Sequence, residues 1–288
     1  MTTEFAEYVV ARRVLLDALD ALGNHRKAVV LVGAQAVYLR AGDADIPVAL
    51  HTTDGDIALR PELLSAEPEI STCMEKAGFE LDPAEPVGIW VTEREIEGRW
   101  VPVKIDLLVP EAVGGAGRRG ARIPPHRKHT ARKIRGLEGA LFDFDPMTLR
   151  SIEEGDNRKH KIMVAGPAAL LVAKAHKIRD RLAEEKPDRI ADKDALDVVR
   201  LLRGSREEDI AERVRRLLAL RSTGAEVQRA AALVTEEALD FIRVAFGVPG
   251  GRGCDMAVRA ARGALGEEEL RASTVDLAQR VLRRLAAL

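Results

Sequence analysis

Two cysteines in 288 residues, Cys73 and Cys254, are too few for a disulfide framework or a cysteine zinc cluster. Aromatic residues make up only 3%, so the core must be built from Leu, Val, Ile and Ala. No apolar run approaches the ~20 residues that cross a bilayer. The opening residues Met1-Thr2-Thr3-Glu4-Phe5 carry neither a basic n-region nor an apolar h-region, so no secretory signal is expected. Reduced thiols without an export or membrane signal imply a cytoplasmic protein. No Gly-x-x-x-x-Gly-Lys-Ser/Thr loop occurs, and Ser65 and Ser71 lack a His/Asp context for nucleophilic catalysis. The formal net charge is −1, so no whole-molecule field selects a partner.

What is present is an α/β pattern that turns helical. Residues 4–22 have a broad apolar face predicting a helix, and 28–32 read as a short buried strand. Gly33 then opens a helix to about Arg40, and a strand is expected at 53–59. A helix is expected from Pro61 to Lys76, stopped by Gly78. Strands are expected at 79–81, 88–96 and 100–109, with a hairpin turn at Glu97-Gly98-Arg99. Short strands at 140–142 and 161–164 should flank a polar excursion. Beyond Gly166 only helical periodicity remains, predicting helices at 167–182, 191–203, 206–221, 225–246, 254–265 and 267–287. The organisation expected is an α/β domain over 1–165 and an all-helical domain over 166–288.

The chemistry concentrates in Val29-Val30-Leu31-Val32-Gly33-Ala34, followed by Thr52-Thr53-Asp54-Gly55-Asp56. Two carboxylates one residue apart share a strand face and repel unless a cation sits between them. A glycine turn opening a helix just upstream is a phosphate-binding arrangement. A third strand aspartate, Asp106, alternates with Val101, Val103, Ile105 and Leu107, so it lies on the opposite face from them. Lys174 sits in an otherwise apolar helix, and Asp192-Lys193-Asp194-Ala195-Leu196-Asp197 follows about twenty residues later. Between Gly117 and Gly136 lie Arg118, Arg119, Arg122, Arg127, Lys128, Arg132, Lys133 and Arg135, with no acid. Such a block is a candidate nucleic-acid or nucleotide-phosphate patch, the alternative being a solvated loop.

In order and spacing these motifs resemble the nucleotidyltransferase (polymerase-β-like) superfamily, and more narrowly the abortive-infection nucleotidyltransferase toxins of toxin–antitoxin systems. The resemblance rests on Gly33-Ala34, Thr52-Thr53-Asp54-Gly55-Asp56, Leu170-Leu171-Val172-Ala173-Lys174 and Lys193-Asp194-Ala195-Leu196-Asp197, and covers about residues 28–203. It implies an α+β fold, a mixed sheet with flanking helices followed by an all-helical domain. It implies transfer of a nucleotide from an NTP to an acceptor, RNA and in particular tRNA, with a cognate antitoxin as partner. Asp54, Asp56 and Asp106 would hold Mg²⁺ (or Mn²⁺), with Asp106 as a possible general base. Gly33, Ala34, Thr53 and Lys174 would bind the nucleotide, and Asp194 would orient the lysine or bind the nucleotide itself, with Lys177 as the alternative lysine. Arg118, Arg119, Arg127, Lys128, Arg132 and Lys133 would meet RNA phosphates. Ala34 departs from the family pattern, where a serine would offer a hydroxyl.

Two other readings stay open at this stage. The acceptor could be a small hydroxylated molecule such as an aminoglycoside, with Glu236, Glu237 and Asp240 forming an acidic pocket. Alternatively, the scaffold could be a catalytically weak nucleotide-binding module.

Overall fold

The computed structural model describes residues 3–42, 44–46, 52–183, 192–261 and 263–286. They pack as two compact units. The first gathers Met1–Gln35, Ala49–Ile134 and Phe144–Ala165; the second gathers Ala36–Val48, Arg135–Asp143 and Gly166–Leu288. The second unit therefore takes in two earlier stretches besides the region after 165.

The first unit is built on a mixed sheet. Its strands are β1 (Val29–Val32), β2 (Asp54–Leu59), β3 (Glu80–Leu81), β4 (Ile89–Ile96), β5 (Arg99–Pro110), β6 (Arg132–Ile134), β7 (Phe144–Arg150) and β8 (Lys159–Ala165). The order is β3-β4-β5-β2-β1-β8-β7, with β6 pairing β5. β1 runs antiparallel to β2 and parallel to β8, and β2 runs parallel to β5. All four residues of β1 are buried, as expected for a central strand covered on both faces. Helix α1 (Thr3–Leu22) packs on β2, β4 and β5. On the β5 face expected to be apolar, Val103, Ile105 and Leu107 are buried and Val101 is half-buried. From Ile105 to Pro110 both faces are buried, so the alternation shows only in the first half of the strand. The β4–β5 hairpin closes from Ile96 opposite Arg99, with Glu97 (φ 51°) and Gly98 (φ 78°) both left-handed. A two-residue turn of that hand matches strand twist.

Two expected elements differ. The helix expected from Pro61 to Lys76 is a 3₁₀ turn, Pro61–Leu63, then an irregular stretch, then α3 (Ile70–Lys76). Pro68 explains the break, because it lacks an N–H and disfavours helical backbone in the residue before it. Residues 140–142 are not a strand: Glu138–Leu141 form a 3₁₀ turn, and β7 begins at Phe144 to pair with β8. β7 is the sheet edge, where only Leu149 is fully buried and Pro146 is tolerated. Its weak apolar alternation hides it in the sequence.

The second unit contributes α4 (Pro167–Ala183), α5 (Asp192–Gly204), α6 (Glu207–Ala219), α7 (Glu226–Ala245), α8 (Arg252–Ala261) and α9 (Glu267–Ala286), numbered after α2 (Gly33–Ala41). No strand follows β8 among the described residues. Asp143 starts α4: its Oδ2 accepts the Ala169 N–H at 2.8 Å, its Oδ1 accepts Arg213 Nη1 at 2.8 Å, and its backbone carbonyl accepts the Gly166 N–H. A carboxylate at that place satisfies an otherwise orphaned helix donor.

Gly55, between the two aspartates of β2, turns to the core. A Cβ there would lie 2.9 Å from Ile105 Cδ1 and 3.2 Å from Leu15 Cδ1 of α1. Gly55→Val is therefore expected to lower unfolding stability by about 1–3 kcal/mol through overpacking. Urea unfolding checks this; a variant as stable as wild type would contradict the seating of α1 on β2.

Candidate functional site

β1 and β2 bring the glycine turn and the carboxylates together. In their antiparallel register Val32 lies opposite Asp56, so Gly33 follows directly beside it. Gly33 has φ +68°, and a Cβ at that position would overlap the Asp56 carboxylate. Only glycine lets that carboxylate lie against the turn opening α2. The parallel register of β2 and β5 sets Asp106 opposite Asp56 and Lys104 opposite Asp54. Side chains of register partners project from one sheet face, so Asp54, Asp56 and Asp106 share a face on adjoining strands. Asp54 and Asp56 are half-buried, and Asp106 is 8% exposed.

Each carboxylate is oriented by its neighbours. The buried Thr52 hydroxyl donates to Asp54 Oδ1. Gln35 Nε2 donates to the Asp54 carbonyl at 3.1 Å, and Gln35 Oε1 accepts Arg12 Nε at 2.7 Å. Arg12, 4% exposed, also donates to the Tyr8 hydroxyl at 2.8 Å and the Arg150 carbonyl at 3.1 Å. Burial pulls the Arg12 pKa below its ordinary value, with Tyr8 opposing, and burial pushes the Tyr8 phenol up. A chain of hydrogen bonds thus runs from α1 through α2 to the backbone of the Asp strand. Asp106 Oδ2 accepts Arg132 Nη2. Lys104 turns away to Asp82 Oδ2 at 2.5 Å, and that hydrogen bond holds Asp82 below the usual carboxylate range.

The hard oxygens of Asp54 and Asp56 suit Mg²⁺ or Mn²⁺ by donor type. Among the described residues, no three His, Cys, Asp or Glu side chains are grouped as a ready-made metal site. Asp54 and Asp56 are the pair that would hold a cation, while Asp106 has one oxygen on Arg132. Ala34 is buried and offers no hydroxyl, leaving only backbone N–H groups at the start of α2 to meet a phosphate. Thr53 is half-buried just before β2.

Lys174 and Asp194, expected as site residues, form a buried network of the second unit. Lys174 Nζ, in a side chain 5% exposed, donates to Asp194 Oδ1 and Asp197 Oδ2, both at 2.7 Å. Asp194 also meets Lys177 Nζ at 3.4 Å and Arg181 Nη1 at 2.6 Å. Arg200 lies 3.3 Å from Asp197 Oδ1 and stacks over the Tyr38 ring at 5.3 Å. Burial alone would lower the Lys174 pKa, but the two carboxylates hold it well above the ordinary lysine value. Burial would likewise raise Asp194, and Lys174, Lys177 and Arg181 hold it below the carboxylate range. Two of the three Lys174 donors are taken. Lys177, with a side chain 39% exposed, is the lysine of the two that can reach an anion in solvent.

The basic stretch divides. Arg132 serves Asp106, Lys133 donates to the Gly115 and Gly117 carbonyls, and Arg127 pairs with Glu69 and Glu75. Arg135 belongs to the second unit and pairs with Glu237 at 2.7 Å. Arg118, Arg119, Arg122 and Lys128 are exposed and hold no ion pair with a described residue. His126, within the basic stretch, is buried edge-on against His25 at 5.2 Å, and burial lowers its pKa. The acids considered for a small-molecule pocket are each ion-paired. Glu236 meets Arg221, Glu237 meets Arg135 and Arg179, and Asp240 meets Arg243.

Sequence reasoning missed Thr52, Gln35 and Arg12 as supports of Asp54, and Arg132 as the partner of Asp106. An arginine on the apolar side of the first helix was the available signal for Arg12. Nothing in the linear order signalled Arg132, since strand pairing alone brings it to β5.

Two substitutions test these arrangements. Gly33→Ala is expected to cost about 1–3 kcal/mol from strained backbone alone and to displace the Asp56 carboxylate. Chemical unfolding and a crystal structure of the variant check both, and an unmoved Asp56 would contradict the reading. Lys174→Met leaves two buried carboxylates short of their shared cation and is expected to cost about 3–5 kcal/mol. A loss below about 1 kcal/mol in urea unfolding would show that the network does not hold the helices together.

No family model matches the chain, and no curated protein or solved structure matches it either.

Proposed function

We propose that the chain is a Mg²⁺-dependent nucleotidyltransferase, moving a nucleotide from an NTP to RNA, with tRNA as acceptor. The observation carrying this reading is the Asp56 carboxylate seated against the glycine turn of α2, with Asp54 beside it on the same strand face. That juxtaposition pairs a phosphate-binding helix start with two cation-seeking carboxylates. The antiparallel β1–β2 pair followed by the parallel β2–β5 pair supports a polymerase-β-like sheet. A cytoplasmic toxin held in check by a cognate antitoxin is the biological setting that goes with this reading.

Asp54 and Asp56 would hold the metal, which when bound neutralises charge on the triphosphate. The chain's own groups do the rest by positioning and electrostatics, which is most of what nucleotidyl transfer needs. Backbone N–H groups at Gly33-Ala34 meet phosphate oxygens without help from a side-chain hydroxyl. Thr52 fixes the Asp54 carboxylate, and Arg12 through Gln35 fixes its backbone. Asp106, steadied by Arg132, would take the proton of the attacking hydroxyl. Arg118, Arg119, Arg122 and Lys128, which hold no ion pair with a described residue, supply charge for RNA phosphates.

Incubation with α-labelled NTPs and total RNA tests the reading. Label should enter RNA with Mg²⁺ or Mn²⁺, and Asp56→Asn should reduce transfer about 10²–10³-fold while the protein stays folded. The reading fails if no label reaches RNA, or if Asp56→Asn transfers at the wild-type rate. Label confined to a small hydroxylated product would replace RNA as the acceptor.

A further inference from the structure

A second cationic feature lies at the other end of β1 from the carboxylates. A groove of about 400 Å³ is lined by Arg26, Lys27, Lys159, His160, Lys161 and the edge of β8 through Met163. Its origin is topological. β8 runs parallel to β1 and pairs with it at Met163 opposite Val30, so residues 159–161 extend past the start of β1. The chain before β1 is a 3₁₀ turn, Gly23–Ala28, which cannot continue the ladder. The gap between that turn and the overhanging strand is the groove.

Its charge is one-sided. Lys27, Lys159 and Lys161 are exposed, and no described residue forms an ion pair with them. Lys159 and Lys161, two residues apart, project from one face of β8. Across the β7–β8 pair Lys159 stands opposite Arg150, which is also exposed. Like charges directly opposite on neighbouring strands are unfavourable unless an anion screens them. The nearby acid is Asp20, already shared among His160 at 3.0 Å, Arg158 at 3.4 Å and Arg26 at 3.8 Å. Arg26 is fixed at the groove wall, donating to His160 Nδ1 at 2.8 Å and to the Gly23 carbonyl at 3.2 Å. Receiving that bond makes the imidazole neutral, with its proton on Nε2. Burial, the Arg26 guanidinium and Arg158 hold its pKa down against Asp20.

We propose that this groove binds the phosphodiester backbone of a single-stranded RNA, as a surface separate from the Asp54–Asp56 strand end. Three flexible ammonium groups along an open channel suit a tracked row of phosphates, because lysine acts as a point charge without a fixed fork. β1 separates groove and carboxylates by about 13 Å, four residues at ~3.3 Å each, so one strand of RNA a few nucleotides long can touch both ends. The inference stands without the transferase reading, since it concerns binding and not turnover.

The test is fluorescence anisotropy of the full chain with a fluorescein-labelled 20-nucleotide single-stranded RNA. It is run in EDTA without NTP, from 50 to 200 mM KCl. The triple variant Lys27→Ala/Lys159→Ala/Lys161→Ala should bind at least about tenfold more weakly at 100 mM salt. Its slope of log affinity against log salt should flatten by about 2, three phosphate contacts at ~0.7 each. Each single variant should account for about a third of that change, so the test does not depend on the triple variant folding. A control removing three exposed cations elsewhere, Arg99→Ala/Arg206→Ala/Arg252→Ala, should stay within twofold of wild type. Equal weakening in the control, or an unchanged salt slope in the groove variants, would overturn the proposal. So would wild-type binding of inorganic phosphate or ADP in calorimetry without binding of RNA, which would make the groove a small-phosphate site.

Discussion

The arrangement of the first unit turns on one contact: the Asp56 carboxylate against the backbone of Gly33. Asp54 and Asp56 lie on one face of β2, and Asp106 is set beside Asp56 by the parallel pairing of β5. Gathering like charges this way costs free energy unless cations or dipoles answer them. The chain answers with the N-terminal end of α2 beside Asp56, a hydroxyl on Asp54 and a guanidinium on Asp106. Gly55 completes the logic from the other side of the strand, since its missing side chain lets α1 come down onto the sheet beneath the aspartates. In Asp54-Gly55-Asp56 the acids and the glycine therefore serve opposite faces of one strand.

The second unit solves a similar problem differently. Lys174, Asp194 and Asp197 bring three charges into a nearly dry interior, where desolvation offsets much of the Coulombic gain. Lys177 and Arg181 at the partly exposed end, and Arg200 stacked on Tyr38, satisfy the remaining carboxylate oxygens. Such a network is weak as a source of net stability but severe toward loss of one member. It ties α4 to α5 by giving both aspartates of α5 one shared lysine of α4.

Much of this was legible in the chain. The strand at β5, the apolar run of β1 and the helical stripes after 166 follow from elementary periodicity and form elements close to where the pattern placed them. However, β5 is buried on both faces over its second half, and α8 ends at Ala261 rather than 265. The burial of Lys174 was also readable: Leu170, Leu171, Lys174, Ala175 and Ile178 lie on one helical stripe, and Lys177 lies off it. What stayed hidden depends on partners distant in sequence. β7 is an edge strand with a polar face, so its local signal is faint. Ala140 and Leu141 are apolar because they pack within the second unit, not because they form a strand. Arg132 reads in the sequence as one cation of a basic block suited to RNA phosphates, and pairing of β6 with β5 makes it instead the companion of Asp106.

The most direct measurement of the central claim is cation binding at the aspartate pair, read by the room-temperature electron paramagnetic resonance of Mn²⁺ titrated with protein and a non-hydrolysable NTP analogue. The account predicts that wild-type protein removes free-Mn²⁺ signal stoichiometrically beyond what the analogue alone removes. It also predicts that Asp54→Asn/Asp56→Asn, still folded, does not. Equal loss of signal with wild type and the double variant, or no loss with either, would contradict it.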